Sequence, residues 1–396
     1  MAIRFFWLMM GITWAGSVFG TNDTLSDPIR IPFARLILDD GKLLRQDQPF
    51  LESVDKHGHT FSRFVGMTAE YGWQTVSGKH WYSVCNYPRV GIGARYIHVV
   101  NRTELGQPVI AYGFLESNLY RSKRVSVTTR YSVGLGYSNP EYGTHDTLIN
   151  DILSTKVNLY AGLGAGMQIR LSDRFFLEPF FRISHLSNGN IREPQKGLNM
   201  ISWSLSLNHY FKPSPYLARE KSGDTPSGRH EVVAFVSLAP RQLEFYEPGT
   251  KEFIGTYGLN YLMGTLHAGY NYSLNHRIKL STGFDVFYDG TNGQLQLALT
   301  GIPSINGVPF EDKMKLAAFA GWESVLGNLS IVGNFIYVIT EKRFYESSPA
   351  FKQRLGFKYH FMKDVFAGLN VRATNFRVAE MLEFNVGMRK QIGSGR

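Results

Sequence analysis

The stretch VNLYAGLGAGMQIRL, residues 157–171, alternates between two kinds of side chain over its whole length. Every odd position carries an apolar residue, and the even positions carry glycine, asparagine, tyrosine, glutamine or arginine. Successive side chains of a β-strand point to opposite faces, so this period of two predicts a strand with one apolar and one polar face. A tilted strand crosses a bilayer in about 9–11 residues, and this stretch is long enough to do so.

The same alternation recurs on both sides of this stretch, for example in RVSVTTRYSVGLGYS (124–138), EVVAFVSLAPRQL (231–243) and RIKLSTGFDVFYDG (277–290). Strands of soluble proteins usually have about five or six residues, so these longer runs favour a membrane barrel over a soluble antiparallel sandwich. Short turns such as SDR, residues 172–174, alternate with long loops, as they do in outer-membrane barrels. We therefore predict an all-β fold, an antiparallel outer-membrane β-barrel.

The first residues of the chain predict export. Residues 1–20, MAIRFFWLMMGITWAGSVFG, contain one early arginine, an apolar core and small residues afterwards. This pattern is typical of a secretory signal peptide. No later stretch has the roughly 18 uninterrupted apolar residues of a membrane-spanning helix. An exported chain of this kind enters a membrane only as a closed barrel, which predicts location in the cell outer membrane.

The two halves of the chain resemble each other and predict two related repeats of about eight strands each. FRISHLS, residues 181–187, aligns with VRATNFR, residues 371–377, at the same place in the second half. In this alignment His185 corresponds to Asn375 and Ser187 to Arg377, so the second repeat is a degenerate copy. Tandem eight-stranded barrels and one sixteen-stranded barrel both fit the number of strands.

The domain organisation follows from these patterns. A polar segment rich in proline and serine, KPSPYLAREKSGDTPSGR, separates the two repeats and is predicted to be a linker. The predicted units are a signal peptide (1–20), an N-terminal extension (21–59), a first barrel repeat (60–211), the linker (212–229) and a degenerate second barrel repeat (230–396).

Composition limits the classes of partner. The net charge of +10 is consistent with anionic partners such as lipid phosphates. The chain lacks a long basic run or a platform of aromatic residues and arginine, so no nucleic-acid partner is predicted. The single cysteine, Cys85, excludes an internal disulfide and a multi-cysteine metal site. HGH, residues 57–59, is predicted to be a solvated turn rather than a metal site.

The stretch FFLEPFFRISHLSNGN, residues 175–190, carries the candidate site. Its odd positions form an apolar strand face that ends in His185 and Ser187. In the next predicted strand, LNMISWSLSLNHYF (198–211), Asn199 lies on the same apolar face. A hairpin centred near Arg192 places position 185 opposite position 199. Three polar side chains are therefore predicted to converge on the outer wall, facing lipid at the level of the outer leaflet.

Polar side chains on a lipid-facing wall are unfavourable and usually mark function. A serine becomes a useful nucleophile when an imidazole accepts its proton and a third side chain fixes the tautomer of that imidazole. His185 and Ser187, two positions apart on one strand face, can place these groups within reach of each other. The backbone N–H groups of Asn188 and Gly189, where the strand breaks into a loop, can form an oxyanion hole.

HLSNGN followed by PQKGLN resembles the active-site hairpin of the lipid A 3-O-deacylase family. The members of this family are eight-stranded outer-membrane barrels that hydrolyse an ester-linked acyl chain of lipid A with a Ser/His/acid triad. The resemblance covers residues 60–211, and its most specific part is the hairpin 185–199. It implies that His185 is the base, Ser187 the nucleophile and Asn188 the oxyanion-hole asparagine. The acid of the family corresponds to Asn199 here, so either Asn199 or Glu193 in the loop serves as the third member.

The resemblance implies a serine esterase that removes an acyl chain from lipid A, lipopolysaccharide or a similar outer-leaflet lipid. This chemistry requires no metal or organic cofactor. Two other functions remain open at this point. One is a non-catalytic barrel, such as a porin, adhesin or scaffold, and the other is a palmitoyl-transfer reaction. The sequence is also compatible with a homodimer.

Overall fold

The structure is a computed structural model of the chain. It describes residues 29–44, 62–76, 82–83, 86–100, 105–139, 153, 155–193, 197–216, 228–247, 253–342, 344, 349–374 and 378–392. The predicted signal peptide lies outside the described residues, as do Cys85 and the HGH segment.

The described residues form two closed antiparallel barrels of eight strands each. This confirms the predicted fold class and decides for tandem barrels over a single sixteen-stranded barrel. The first barrel contains β1 (Arg30–Leu43), β2 (Arg63–Thr75), β3 (Arg89–Val99), β4 (Val109–Arg121), β5 (Val125–Tyr137), β6 (Val157–Arg170), β7 (Phe175–Ser187) and β8 (Leu198–Tyr210).

The second barrel begins with β9 (His230–Arg241), and a short hairpin of β10 (Phe245–Tyr246) and β11 (Phe253–Gly255) lies in the loop that follows. A helix, α1 (Gln294–Thr300), lies in a later loop, between β13 and β14. The remaining barrel strands are β12 (Tyr261–Ser273), β13 (Ile278–Asp289), β14 (Met314–Leu326), β15 (Leu329–Thr340), β16 (Phe351–His360), β17 (Val365–Thr374) and β18 (Val378–Ile392).

The predicted start of the first barrel, at residue 60, is wrong. β1 lies inside the segment 21–59, which was predicted to be an extension outside the barrel. It pairs with β2 on one side and with β8 on the other, so it closes the first barrel. The sequence pattern missed this strand because RIPFARLILDDGKL keeps charged side chains on both faces near its end. The barrel therefore begins at Arg30 rather than at residue 60.

The strands show the predicted alternation of inward-facing and outward-facing side chains. In β5 the even positions are buried in the barrel and the odd positions are exposed or half-buried on its outer wall. No helix in the described part of the chain has both the length and the apolar character needed to cross a membrane.

Ion pairs fill the interior of the first barrel. Arg35 contacts Glu70 at 3.2 Å and Glu116 at 2.8 Å, and Arg130 reaches the same two carboxylates at 3.0 and 2.9 Å. Arg89 also contacts Glu116. These side chains are almost completely buried, and removing one member of such a network is expected to cost about 3–5 kcal/mol because its partners keep uncompensated charge. The charged interior therefore stabilises the barrel as a filled core.

The two barrels have the same orientation and touch each other near both ends. Turns such as those after β6 and β12 lie at one end, and the segments 188–193 and 242–247 lie at the other. Near the end with the short turns, Leu115 of β4 packs with Leu326 and Leu329 of the second barrel. Arg277 Nη2 of the second barrel lies 3.5 Å from Ser117 Oγ of the first. The barrels are therefore joined by packing as well as by the chain.

Candidate active site

The hairpin β7–β8 brings the predicted site residues together. His185 lies directly opposite Asn199 in the strand register, which confirms the pairing predicted from a hairpin centred near Arg192. β7 ends at Ser187, and the chain then turns through Gly189 and Asn190, which have φ angles of 66° and 63°. Glycine and asparagine are the residues that most readily adopt this left-handed conformation. The sequence NGN therefore explains why the strand ends immediately after the serine.

A short hydrogen bond orients the imidazole of His185. Its Nδ1 lies 2.6 Å from Oδ1 of Asn199. An amide oxygen is only an acceptor, so Nδ1 carries the hydrogen and Nε2 carries the lone pair. This is the tautomer in which Nε2 can accept a proton from a serine.

Gly197 shows how close the imidazole and the serine are to each other. A Cβ atom added to this glycine would lie 2.7 Å from Cε1 of His185, 3.1 Å from its Nε2 and 3.0 Å from Cβ of Ser187. All three atoms thus surround one point above Gly197. The backbone here also has a φ of 73°, which favours glycine. Only a residue without a side chain fits between the loop and this pair.

Ser187 is less accessible than predicted. It lies on the outward face of the pleat, but only 6% of its surface is exposed. Its Oγ accepts a hydrogen bond of 3.0 Å from the backbone N–H of Gly189. The loop after β7 thus folds back over the serine, so the hydroxyl is not openly exposed on the wall. His185 and Asn199 are each half-buried beside it.

The loop after Ser187 is closed by local hydrogen bonds. Asn188 Nδ2 donates to the carbonyl of Arg192 at 2.8 Å, so this side chain bridges the loop. The backbone N–H of Gly189 donates to Oγ of Ser187. Of the two predicted oxyanion donors, Gly189 is therefore one whose N–H lies next to the serine hydroxyl.

The other candidate for the third member of the triad is Glu193. The structure brings Asn199 to Nδ1 of the imidazole, which is the position that the third member must occupy. The backbone N–H of Glu193 instead donates to Oε1 of Gln242 at 3.2 Å, and Gln242 belongs to the second barrel. No local sequence pattern indicates this contact, because the two residues lie 49 positions apart and in different barrels.

Three further contacts join the loop to the second barrel. The backbone N–H of Gln242 donates to the carbonyl of Asn190 at 3.0 Å. Asn190 Nδ2 donates to the carbonyl of Ala379 at 2.8 Å. A Cβ atom added to Gly189 would lie 2.8 Å from Cβ of Leu382, which is itself only 3% exposed. The site therefore lies at the junction of the two barrels. The equivalents of His185 and Ser187 in the predicted repeat, Asn375 and Arg377, lie outside the described residues.

Two family models match the chain. One, described as "Lipid A 3-O-deacylase (PagL)", matches residues 67–208 and includes the whole hairpin of the site. The other, described as "Acyloxyacyl hydrolase, C-terminal domain" (PagL_C), matches residues 230–391, which form the second barrel. No curated protein matches the chain at a significant level.

Among solved structures, the chain resembles other barrels at low identity. Neisserial surface protein A is 9% identical, with 48% of this chain and all of that chain covered and a TM-score of 0.32. The Pseudomonas putida toluene transporter TodX is 10% identical, with 92% of this chain and 89% of that chain covered and a TM-score of 0.17. A mutant porin of Rh. blastica is 6% identical, with 93% and 100% covered and a TM-score of 0.16. Likenesses this low say nothing about activity.

Proposed function

Because this chain belongs to the lipid A 3-O-deacylase family, hydrolases of the outer membrane that act on lipid A, we propose that it is a serine esterase. The substrate we propose is lipid A or lipopolysaccharide of the outer leaflet, cut at the 3-O ester that the family description names. The observation that carries the proposal is the hydrogen bond of 2.6 Å between His185 Nδ1 and Asn199 Oδ1, with Ser187 beside the same imidazole.

The protein is an outer-membrane barrel, and its outer surface suits that location. Large apolar side chains are well exposed on both barrels, among them Trp203 (71%) and Met67 (60%) on the first and Leu266 (59%) and Met388 (62%) on the second. Aromatic rings cluster at the short-turn end of the first barrel, where Phe175 and His209 lie 4.8 Å apart. An apolar band bordered by such rings is typical of barrels in lipid. The outer surface of the barrels therefore suits contact with lipid.

The mechanism that we propose uses the chain's own residues. Ser187 Oγ attacks the ester carbonyl carbon while His185 Nε2 accepts the proton from the hydroxyl. The carbonyl oxygen becomes an oxyanion, which the backbone N–H groups of Gly189 and Asn188 stabilise. The imidazolium then returns the proton to the departing sugar oxygen, and an acyl-enzyme forms on Ser187. Water, activated by the same imidazole, hydrolyses this ester and releases the fatty acid.

Asn199 takes the place of the acid in this mechanism. Its oxygen holds Nδ1–H of His185 and so keeps Nε2 free of hydrogen and ready to accept a proton. A neutral amide supplies the orientation but not the negative charge that would stabilise the imidazolium. We therefore expect a functional but slower enzyme than one with a carboxylate at this position.

The test is mass spectrometry of lipid A from a Gram-negative host that expresses the native protein or its Ser187→Ala variant. The native chain should remove the mass of one hydroxyacyl group, and the variant should leave lipid A unchanged. Both proteins must first be shown to be folded in the outer membrane, for example by heat-dependent mobility on a gel.

Other outcomes would replace the proposal. Identical lipid A from both strains, with both proteins folded, would favour a non-catalytic barrel. A gain of one palmitoyl mass would identify acyl transfer instead of hydrolysis. The charged, filled interior of the first barrel already argues against a porin, since a conducting pore needs an open lumen. A homodimer stays a prediction, which size measurement in detergent would test.

A further inference from the structure

The loop that carries the proposed oxyanion hole is bound by the second barrel. Gln242, directly after β9, donates to this loop through its backbone N–H and accepts from it through its side-chain oxygen. The carbonyl of Ala379, at the start of β18, accepts a hydrogen bond from the side chain of Asn190. Leu382 packs against Gly189 in the same region. The loop belongs to one barrel, and much of what holds its shape belongs to the other.

We propose that the second barrel positions the oxyanion loop, with Gln242 as the principal positioning residue. This inference rests on the proposed serine esterase function, because it assigns a role to the loop in that reaction. Gln242 does not touch the reacting atoms. It acts through Asn190 and Glu193, to which it is hydrogen-bonded through its backbone N–H and its side-chain oxygen.

Gln242 is itself held in place by the second barrel. Its Nε2 donates to Oδ1 of Asn260 at 3.1 Å and to the carbonyl of Gly258 at 3.4 Å. These two acceptors require the amide nitrogen on their side, so the amide oxygen must point to the N–H of Glu193. The side chain thus links Gly258 and Asn260 of the second barrel to Glu193 in the loop of the first.

The reaction is sensitive to the placement of this loop. An oxyanion donor acts only when it lies about 2.7–3.1 Å from the developing charge, and a displacement of about 1 Å can cost on the order of 10²-fold in rate. Within the loop, Gly189 and Asn190 are both in the left-handed region, and the N–H of Gly189 donates to Oγ of Ser187. The bonds from the second barrel hold Asn190 and Glu193, which follow this N–H, so we expect them to set its direction together with the local bond to Ser187.

The barrels also contact each other near the short-turn end, away from the loop contacts. Leu115 and Leu326 pack there independently of the hairpin. Loss of Gln242 should therefore leave the two barrels joined and folded while the loop loses its orientation. Catalytic turnover, rather than the amount of folded protein, is the quantity that should change.

The experiment compares full-length variants purified from outer membranes, with lipid A in mixed detergent micelles as the substrate. Gln242→Ala keeps the backbone bond to Asn190 but removes the acceptor for the N–H of Glu193, so it should lower kcat about tenfold and leave KM within about twofold. Gln242→Glu keeps an acceptor for the N–H of Glu193 but loses the donor to the carbonyl of Gly258. This variant should therefore recover part of kcat.

A second variant tests the other bond to the loop. Asn190→Asp removes the donor to the carbonyl of Ala379 but keeps a residue that tolerates a φ of 63°, and it should also lower kcat about tenfold. The matched control is Gln391→Ala, which changes an exposed glutamine at the opposite end of β18 and should have native kinetics.

The outcomes separate this inference from the proposed function. If Ser187→Ala retains native activity, the esterase mechanism fails and the positioning role fails with it. If Ser187→Ala is inactive while Gln242→Ala and Asn190→Asp keep native kcat, only the positioning role is overturned. If Gln242→Ala does not fold, the near-isosteric Asn190→Asp decides between the two results. A rise in KM with unchanged kcat would also overturn it, since that pattern indicates lost substrate binding.

Discussion

Each barrel contains a histidine whose Nδ1 meets an oxygen of a facing strand, but only one of these pairs can take part in the proposed reaction. In the first barrel, His185 meets Asn199 at 2.6 Å on the outer wall. In the second barrel, His267 meets Asp285 at 2.7 Å inside the lumen. By chemistry alone the second pair is the better one, because a carboxylate also stabilises an imidazolium by charge.

The packing around His267 and Asp285 explains why this pair cannot take part in the proposed reaction. The ring of His267 is stacked between Phe235 and Phe319, with centroid distances of 4.2 and 4.5 Å. Asp285 is also held by Arg354 at 2.9 Å. The pair is therefore part of the packed interior, where no lipid can reach it. Whether a histidine lies at an inward or an outward position of the pleat decides its role more than the identity of its partner.

The largest expected effect comes from exchanging each histidine for alanine. His185→Ala removes the proposed base and should lower deacylation by at least about 10⁴-fold, with little change in stability. His267→Ala should keep deacylation within about twofold but lower the free energy of unfolding by about 2–4 kcal/mol, because it leaves a cavity between two rings. Lipid A mass spectrometry and urea unfolding in lipid vesicles measure the two quantities.

A loss of activity in His267→Ala at native stability would contradict this contrast. It would mean that the lumen of the second barrel is linked to the reaction, in spite of its packing. Native activity in His185→Ala would remove the first barrel's pair from the mechanism altogether.

Gly197 should be the next most sensitive position. Gly197→Ala introduces a Cβ atom 2.7 Å from the ring of His185 and should lower kcat on the order of 10²-fold, because the imidazole must move. The matched control is Gly228→Ala, just before the first strand of the second barrel, where φ is 80° and the nearest atom of another residue belongs to the flexible side chain of Gln391, at 3.2 Å. Both variants carry backbone strain, so only a difference in kcat between them reports on the contact.

The smallest expected effect is an increase in kcat. Asn199→Asp places a carboxylate at Nδ1 of His185, where a charge-assisted hydrogen bond is roughly twice as strong as a neutral one. We expect kcat near neutral pH to rise about tenfold, which brings the first pair closer to the chemistry of His267 and Asp285. Steady-state kinetics on lipid A measure this change. An Asn199→Asp variant slower than the native enzyme would show that the amide is the better partner in this half-buried position.

Much of the fold and the site was predictable because both depend on local patterns. The period of two in β5 and β6 predicted which side chains face outward, and the structure confirms it. The hairpin of β7 and β8 is symmetric about its loop, so counting residues predicted that His185 faces Asn199. The resemblance to the lipid A 3-O-deacylase family is confirmed by the matching family models.

Other features were missed because they depend on distant parts of the chain. β1 was taken for an extension, since only its pairing with β8 shows that it closes the barrel. Ser187 was expected to face lipid openly, but the loop that follows covers it.

By itself, the sequence determined most of the strands, their apolar faces, the register of the β7–β8 hairpin and the family. These features follow from alternation and spacing along one segment, where side-chain direction is fixed by the backbone. The closure into two barrels, the cover over Ser187 and the bonds from Gln242 and Ala379 to the loop were decided only by the tertiary structure. The bond from Asn190 to Ala379 joins residues 189 positions apart. Such contacts exist only once both barrels have closed and packed, and no local pattern encodes that packing.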